Sequence, residues 1–226
     1  MTAPLPFPPN TSIDIPVLVG TTAQAIEYWT GPKDLRKWSW SDYNKYVTTS
    51  LDSFGPRITQ MALMQYPASP STTPELQYLT MVTDLRQTCP VNLMMANLSS
   101  VMVSQVYRYL ITSKPSKSIT LFDNKSKNSF HFWDLMAFFG TIDKFIESPS
   151  DSDQQFAEQI RDIVLNFVRD RRPDSTIPLP SKWDQSFPHQ MAIIGSNQTI
   201  VQNNYVISDR CEFWDTQGLT KYAWVS

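Results

Sequence analysis

The stretch "IPVLVG", Ile15–Gly20, decides the fold: a short apolar run that follows a proline-rich approach and closes on glycine. It does not alternate apolar with polar residues, as a strand with one wet face does. Consecutive apolar positions with β-branched side chains suit a strand buried on both faces. A second run, "VYRYLIT" (Val106–Thr112), is aromatic and β-branched and ends at "SKPSKS". Between the two lie helical patterns. Ser41 is placed to cap a helix carrying Tyr43, Tyr46, Val47 and Leu51 on one face, with Pro67 as its stop. Thr73-Pro74-Glu75 opens another helix, and residues 75–88 and 91–105 read as two helices broken at Cys89-Pro90.

Further along, residues 113–130 read as loop. The stretch "SPSDSDQQFAEQIRDIVLNFVRDRRPDS" is the clearest helix, capped by serine and aspartate and stopped by Pro173. Phe156, Ile160, Ile163, Val164 and Phe167 form its apolar face. The tail is loop-rich, with short apolar pieces "MAIIG", "NNYVIS" and "CEFW". This order is α/β logic with long insertions. Two buried strands are fewer than the usual five or six of an α/β sheet. The chain therefore reads as part of a sheet.

Apolar residues make up 41% and charged residues 18% of the 226 residues, an ordinary globular composition for one large domain or part of one. A net charge of -2 leaves no basic footprint, so nucleic acid is not an expected partner. No apolar run reaches the roughly 20 residues of a membrane span. The first 20 residues lack the basic and apolar regions of a secretory signal. Glycine is scarce, at six, and no GxGxxG or GxxxxGK[ST] cradle for phosphates occurs. Four sequons stand at Asn10, Asn97, Asn124 and Asn197, the signature of surface glycosylation in a secretory protein. Cys89 and Cys211 have no metal spacing, and on count alone they are either two buried thiols or a bridge.

Only two histidines occur, His131 and His189. His131 heads "HFWDLMAFFG" (His131–Gly140), an aromatic run in which a histidine is ordinarily a packed core residue. Several landmarks in order change that reading, because they resemble the type-B carboxylesterases, a family that includes the cholinesterases. "IPVLVGTT" is similar to the strand before the family's catalytic acid, and "TDLRQTCP" to its Asp-x-x-x-x-Cys-Pro element, at Asp84, Cys89 and Pro90. "VYRYLIT" resembles the strand leading to the catalytic-histidine loop. "HFWDLMAFFG" resembles His-Gly-x-[Glu/Asp]-Leu-x-x-x-Phe-Gly at His131, Asp134, Leu135, Phe139 and Gly140. "NFVRDRRP" stands where the family has Asn-Phe-Ala-x-x-Gly-x-Pro, "KWDQSF" resembles Trp-Pro-x-Tyr, and "CEFW" matches Cys-x-Phe-Trp.

The resemblance covers essentially the whole chain, 1–226, and implies the C-terminal portion of an α/β-hydrolase fold, with an incomplete central sheet, helices and long loops. It implies a Cys89–Cys211 disulfide and a secretory parent. It also implies hydrolysis of a small-molecule ester by a serine, a histidine and an acid, with no metal or organic cofactor. His131 takes the general-base position. Phe132 departs from the small residue that follows the family's histidine. No G-x-S-x-G elbow is present, since no two glycines stand four apart; the nucleophile is expected upstream. The family's acid comes five residues after the strand glycine, which is Ala25 here. Glu27 is the substitute if the loop is shifted, and otherwise a solvated carboxylate. Asp134 corresponds to an acidic family position of structural role, and His189 matches no family site. Two alternatives stay open: a non-catalytic cholinesterase-like binding or adhesion protein, with a second copy or another protein as partner, or an inactive truncated product.

Overall fold

The computed structural model describes residues 14–28, 31–32, 34–121, 124–173, 190–196, 199–203 and 205–220. The two expected strands lie side by side. β1 (Val17–Thr22) runs parallel to β2 (Val106–Ile111), from Val17 opposite Val106 to Thr22 opposite Ile111. Between them come α1 (Trp40–Leu51), α2 (Pro56–Gln65), α3 (Pro74–Thr83) and α4 (Cys89–Val101). After β2, a small antiparallel hairpin of β3 (Ile119–Leu121) and β4 (Asn124–Ser126) leads to α5 (Trp133–Phe138) and α6 (Asp151–Asp170). Then follow β5 (Gln190–Ile194), β6 (Thr199–Asn203) and α7 (Tyr205–Thr216).

The main sheet has the order β1-β2-β5-β6, with β5 parallel to β2 and β6 antiparallel to β5. "MAIIG" is therefore a strand, and β6 is a second one beyond the sequence expectation. Five residues and a polar "TIVQN" give too weak a period to announce a strand.

Both faces of the sheet are covered, as the unalternating runs require. On one side Leu18, Tyr109, Ile111 and Ile194 pack with Trp133, Phe156 and Ile160 of α5 and α6. On the other, Val19 and Val106 pack with Met95 and Leu98 of α4. Gly20 suits this packing, because a Cβ there would come within 1.9 Å of the Tyr109 ring and displace it. Arg108 is an exception to the apolar pattern: at 1% exposure it is buried on the α4 side of β2. Its Nε donates to Asn92 Oδ1 (3.0 Å), its Nη2 to Thr21 Oγ1 (2.6 Å) and its Nη1 to the Tyr109 carbonyl. These acceptors satisfy a guanidinium whose pKa burial pulls down to about 10.

Three helix readings are corrected. Ser39, rather than Ser41, caps α1: the Asp42 N–H donates to Ser39 Oγ, and the Ser39 N–H donates back to the Asp42 carboxylate at 2.9 Å. That helix stops well short of Pro67. The chain turns at Gly55, whose φ of 114° suits glycine, and Pro56 starts α2. Cys89-Pro90 does not break the chain into two helices. A π-turn at Asp84–Thr88, with the Cys89 N–H donating to the Asp84 carbonyl, joins α3 to α4 around the proline. The long helix α6 agrees with the sequence: Ser150 and Asp153 form a capping box, and Phe156, Ile160 and Ile163 are buried.

A second core joins α1, α2, α3 and α7 through Tyr43, Tyr66, Leu79, Trp214 and Leu219. Cys89 and Cys211 are bonded there, 122 residues apart. Closing such a loop constrains the unfolded chain by up to about 5 kcal/mol in the entropic account. Beside the disulfide, Tyr66 donates to Asp84 Oδ2 (2.9 Å) and accepts from Trp214 Nε1 (3.0 Å). The Arg210 guanidinium lies over the Tyr66 ring and 3.6 Å from the Asp84 carboxylate.

Burial pushes the Asp84 pKa up to about 6 against the pull of Arg210 and Tyr66. The folded state thus holds this proton more tightly than the unfolded chain does. Asp84 favours folding most below its ordinary pKa, and that advantage is lost as pH rises to about 6. Comparing wild-type and Asp84→Asn denaturation across that window should show the wild-type losing on the order of 3 kcal/mol relative to the variant. Parallel curves would contradict it.

Candidate active site

The site is built where two loops leave the C-terminal ends of β1 and β2. The first is the turn after Thr22, and the second is the segment before α5. They are laced together by main chain. The Gln24 N–H donates to the Ser129 carbonyl (2.9 Å), and the Ser129 N–H donates to Gln24 Oε1 (3.1 Å). Gln24 and Phe130 form a parallel bridge. Both loops also hang on the end of β2, because the Ala23 N–H (3.0 Å) and the Ser129 hydroxyl (2.7 Å) donate to the Ile111 carbonyl.

Ala25 and His131 each follow one residue of this bridged pair, so the bridge brings the two segments that carry them to the same end of the sheet. Ala25 is 0% exposed and opens a 3-10 turn, Ala25–Tyr28. His131 is half-buried and stands just before α5. Its chain neighbours anchor it. Phe130 and Trp133 are buried, Trp133 stacks on Phe156 with centroids 5.3 Å apart, and Phe130 meets Tyr28 edge-on at 5.0 Å. Between them, Phe132 adopts φ 79° and ψ -2°, the left-handed region, and its ring lies 4.0 Å from the imidazole centroid. A bulky side chain in that region costs about 1–3 kcal/mol, so the surrounding contacts must hold it there.

Glu27 turns toward the second loop. Its carboxylate accepts from Asn128 Nδ2 (3.1 Å) and from the Ser126 hydroxyl. Burial raises its pKa above the ordinary carboxylate value, and those two donors oppose the rise. It is a part-buried tie between the 3-10 turn and the end of β4, not a solvated loop carboxylate. Asp134 lies in the first turn of α5, where its Oδ1 accepts from the Leu135 N–H at 3.0 Å. Burial raises its pKa too. Burial lowers the His131 pKa, and the Asp134 charge is what opposes that. The sequence reading missed Gln24, Ser126, Asn128 and Ser129, which hold the loops. Short polar residues in a loop give no signal of their own before a register is known.

Among the described residues no group of three His, Cys, Asp or Glu side chains is placed to hold a metal ion. Nor is any helix among them long and apolar enough to cross a membrane. His189, Asn10, Asn197 and "KWDQSF" lie outside the described residues. Asn97, on α4, and Asn124, on β4, are exposed.

A model of the carboxylesterase family matches residues 10–214. Among solved structures, a thermophilic PNB esterase is similar to the chain with a TM-score of 0.56 and 19% identity, over 88% of this chain and 38% of that one. A Clostridium hathewayi esterase, described as able to hydrolyse aliphatic aromatic polyesters, is similar with a TM-score of 0.57 and 20% identity, over 92% and 38%. The chain thus spans 38% of the length of these esterases and has part of an α/β-hydrolase fold. No curated protein matches it.

The site makes a distinct prediction about which carboxylate His131 senses. In an NMR titration, Asp134→Asn should lower the His131 pKa, because a favourable charge is removed. Glu27→Gln should leave it in place, since the Glu27 oxygens are committed to Ser126 and Asn128. The reverse pattern would make Glu27 the acid partner.

Proposed function

The chain belongs to the carboxylesterase family, and from that premise we propose that it supplies the C-terminal, histidine-bearing portion of an ester-hydrolase domain. The observation that supports this reading is the lacing of the two loops, which holds the His131 segment at the carboxyl ends of parallel strands. In an α/β sheet, ligands bind at those strand ends. In the complete reaction a serine from a G-x-S-x-G elbow attacks the carbonyl of a small carboxylic ester, the alcohol leaves, and water then attacks the acyl-serine to release the acid and restore the serine. His131 takes the serine proton and returns it to the leaving alcohol, while backbone N–H groups hold the oxyanion. This chain contributes the imidazole and its support. It has no elbow of that pattern, and position 25 carries a methyl group where an orienting carboxylate is needed.

Ala25 favours a second reading: a cholinesterase-like binding protein that keeps the fold and the disulfide without turnover. Alanine cannot orient or stabilise an imidazolium, and Glu27 is spent on a structural tie. In either case we place the parent protein in the secretory pathway, a reading supported by the disulfide and by the exposed sequons at Asn97 and Asn124.

A p-nitrophenyl acetate assay of the chain tests the division of labour. Hydrolysis should not exceed the uncatalysed background. Turnover that disappears in His131→Ala would mean that this chain carries a complete site.

A further inference from the structure

Phe132 is the anomaly of the site. It is a bulky aromatic held at φ 79°, where glycine is the natural occupant, and it directly follows the histidine. The left-handed turn has a geometric result. Instead of pointing away from residue 131, the Phe132 ring folds back on the imidazole, with centroids 4.0 Å apart and planes tilted by 47°. Phe132 itself stays 39% exposed, so it forms a lid with one side in solvent and the other on the imidazole. A core residue would be buried like its neighbours Phe130 and Trp133, both at 0%. The strain is not stored for the sake of core packing.

We propose that Phe132 is a positioning residue that shields one face of His131, fixing the imidazole rotamer and closing that face to water and to small electrophiles. Two consequences follow from the contact. The ring takes away hydration that a charged imidazole needs, so it works in the same direction as burial in keeping His131 neutral. Asp134 is the charged group acting in the opposite direction. The shield also leaves the imidazole a restricted approach, so a reacting hydroxyl must come in from the uncovered side. The meaning of the shield for ester hydrolysis rests on the reading above. Its existence does not, because it is read on the imidazole itself.

The test uses the full chain and two substitutions that accept a left-handed backbone without the ring, Phe132→Gly and Phe132→Asn. Diethyl pyrocarbonate acylates neutral imidazole. Its rate at His131 is followed by peptide mass spectrometry at about pH 7.5, above the ordinary histidine pKa of about 6.5, so that access and not protonation is measured. His189 in the same molecule is the internal reference. Both variants should react severalfold faster at His131 relative to His189, their His131 pKa should move up toward the ordinary value, and Phe132→Gly should melt no lower than wild type. Phe132→Ala, which removes the ring but keeps the strained backbone, should melt below Phe132→Gly. An unchanged rate and titration in folded Phe132→Gly and Phe132→Asn would overturn the shield. A melting temperature of Phe132→Ala equal to that of Phe132→Gly would overturn the part assigned to the left-handed backbone.

Discussion

The rest of the site depends on the lacing of Gln24 to Ser129. A parallel pair of strands delivers its two following loops to the same edge of the sheet but does not fix how they meet. The reciprocal bonds between Gln24 and Ser129, with the shared Ile111 carbonyl behind them, fix that meeting to a single register. All of these groups are buried, where an unmade hydrogen bond is costly, so a slipped register would leave several of them unsatisfied at once. From this register follow the approach of the His131 segment to the turn that carries position 25 and the contacts of Glu27 with Ser126 and Asn128.

The site therefore has a well-built frame. Buried Phe130 and Trp133 anchor the chain on both sides of the His131–Phe132 pair, and Phe132 covers the histidine from the solvent side. Such support is what a reacting imidazole needs. The charge that acts on the imidazole comes from Asp134, in the first turn of α5. The two polar networks away from the site, Asp84–Tyr66–Arg210 and Arg108–Asn92–Thr21, tie α7 and α4 to their neighbours. They belong to the folding of the scaffold.

Much of this was legible in the residues, and the failures have physical causes. The apolar runs at Ile15–Gly20 and Val106–Thr112 announced buried parallel strands because consecutive hydrophobic side chains suit two covered faces. The Cys89–Cys211 pairing and the landmark order came from family resemblance; spacing alone left two free thiols equally open. β5 and β6 were missed because short strands beside loop residues lack a usable period. Cys89-Pro90 reads as a break between helices, but a π-turn at Asp84–Thr88 carries the helical chain up to the proline. Within the site, the assignments of His131 and Ala25 came from the family resemblance alone. The commitment of Glu27 to Ser126 and Asn128 was not legible, because it depends on two loops 99 and 101 residues apart meeting in one register.

The most direct test of the central claim is the His131 titration in an Ala25→Glu variant, compared with wild type by NMR. If the laced loops set position 25 against the imidazole, a carboxylate there should raise the His131 pKa by about one unit or more. A folded Ala25→Glu protein with its disulfide intact and an unmoved His131 titration would contradict the register on which the account is built.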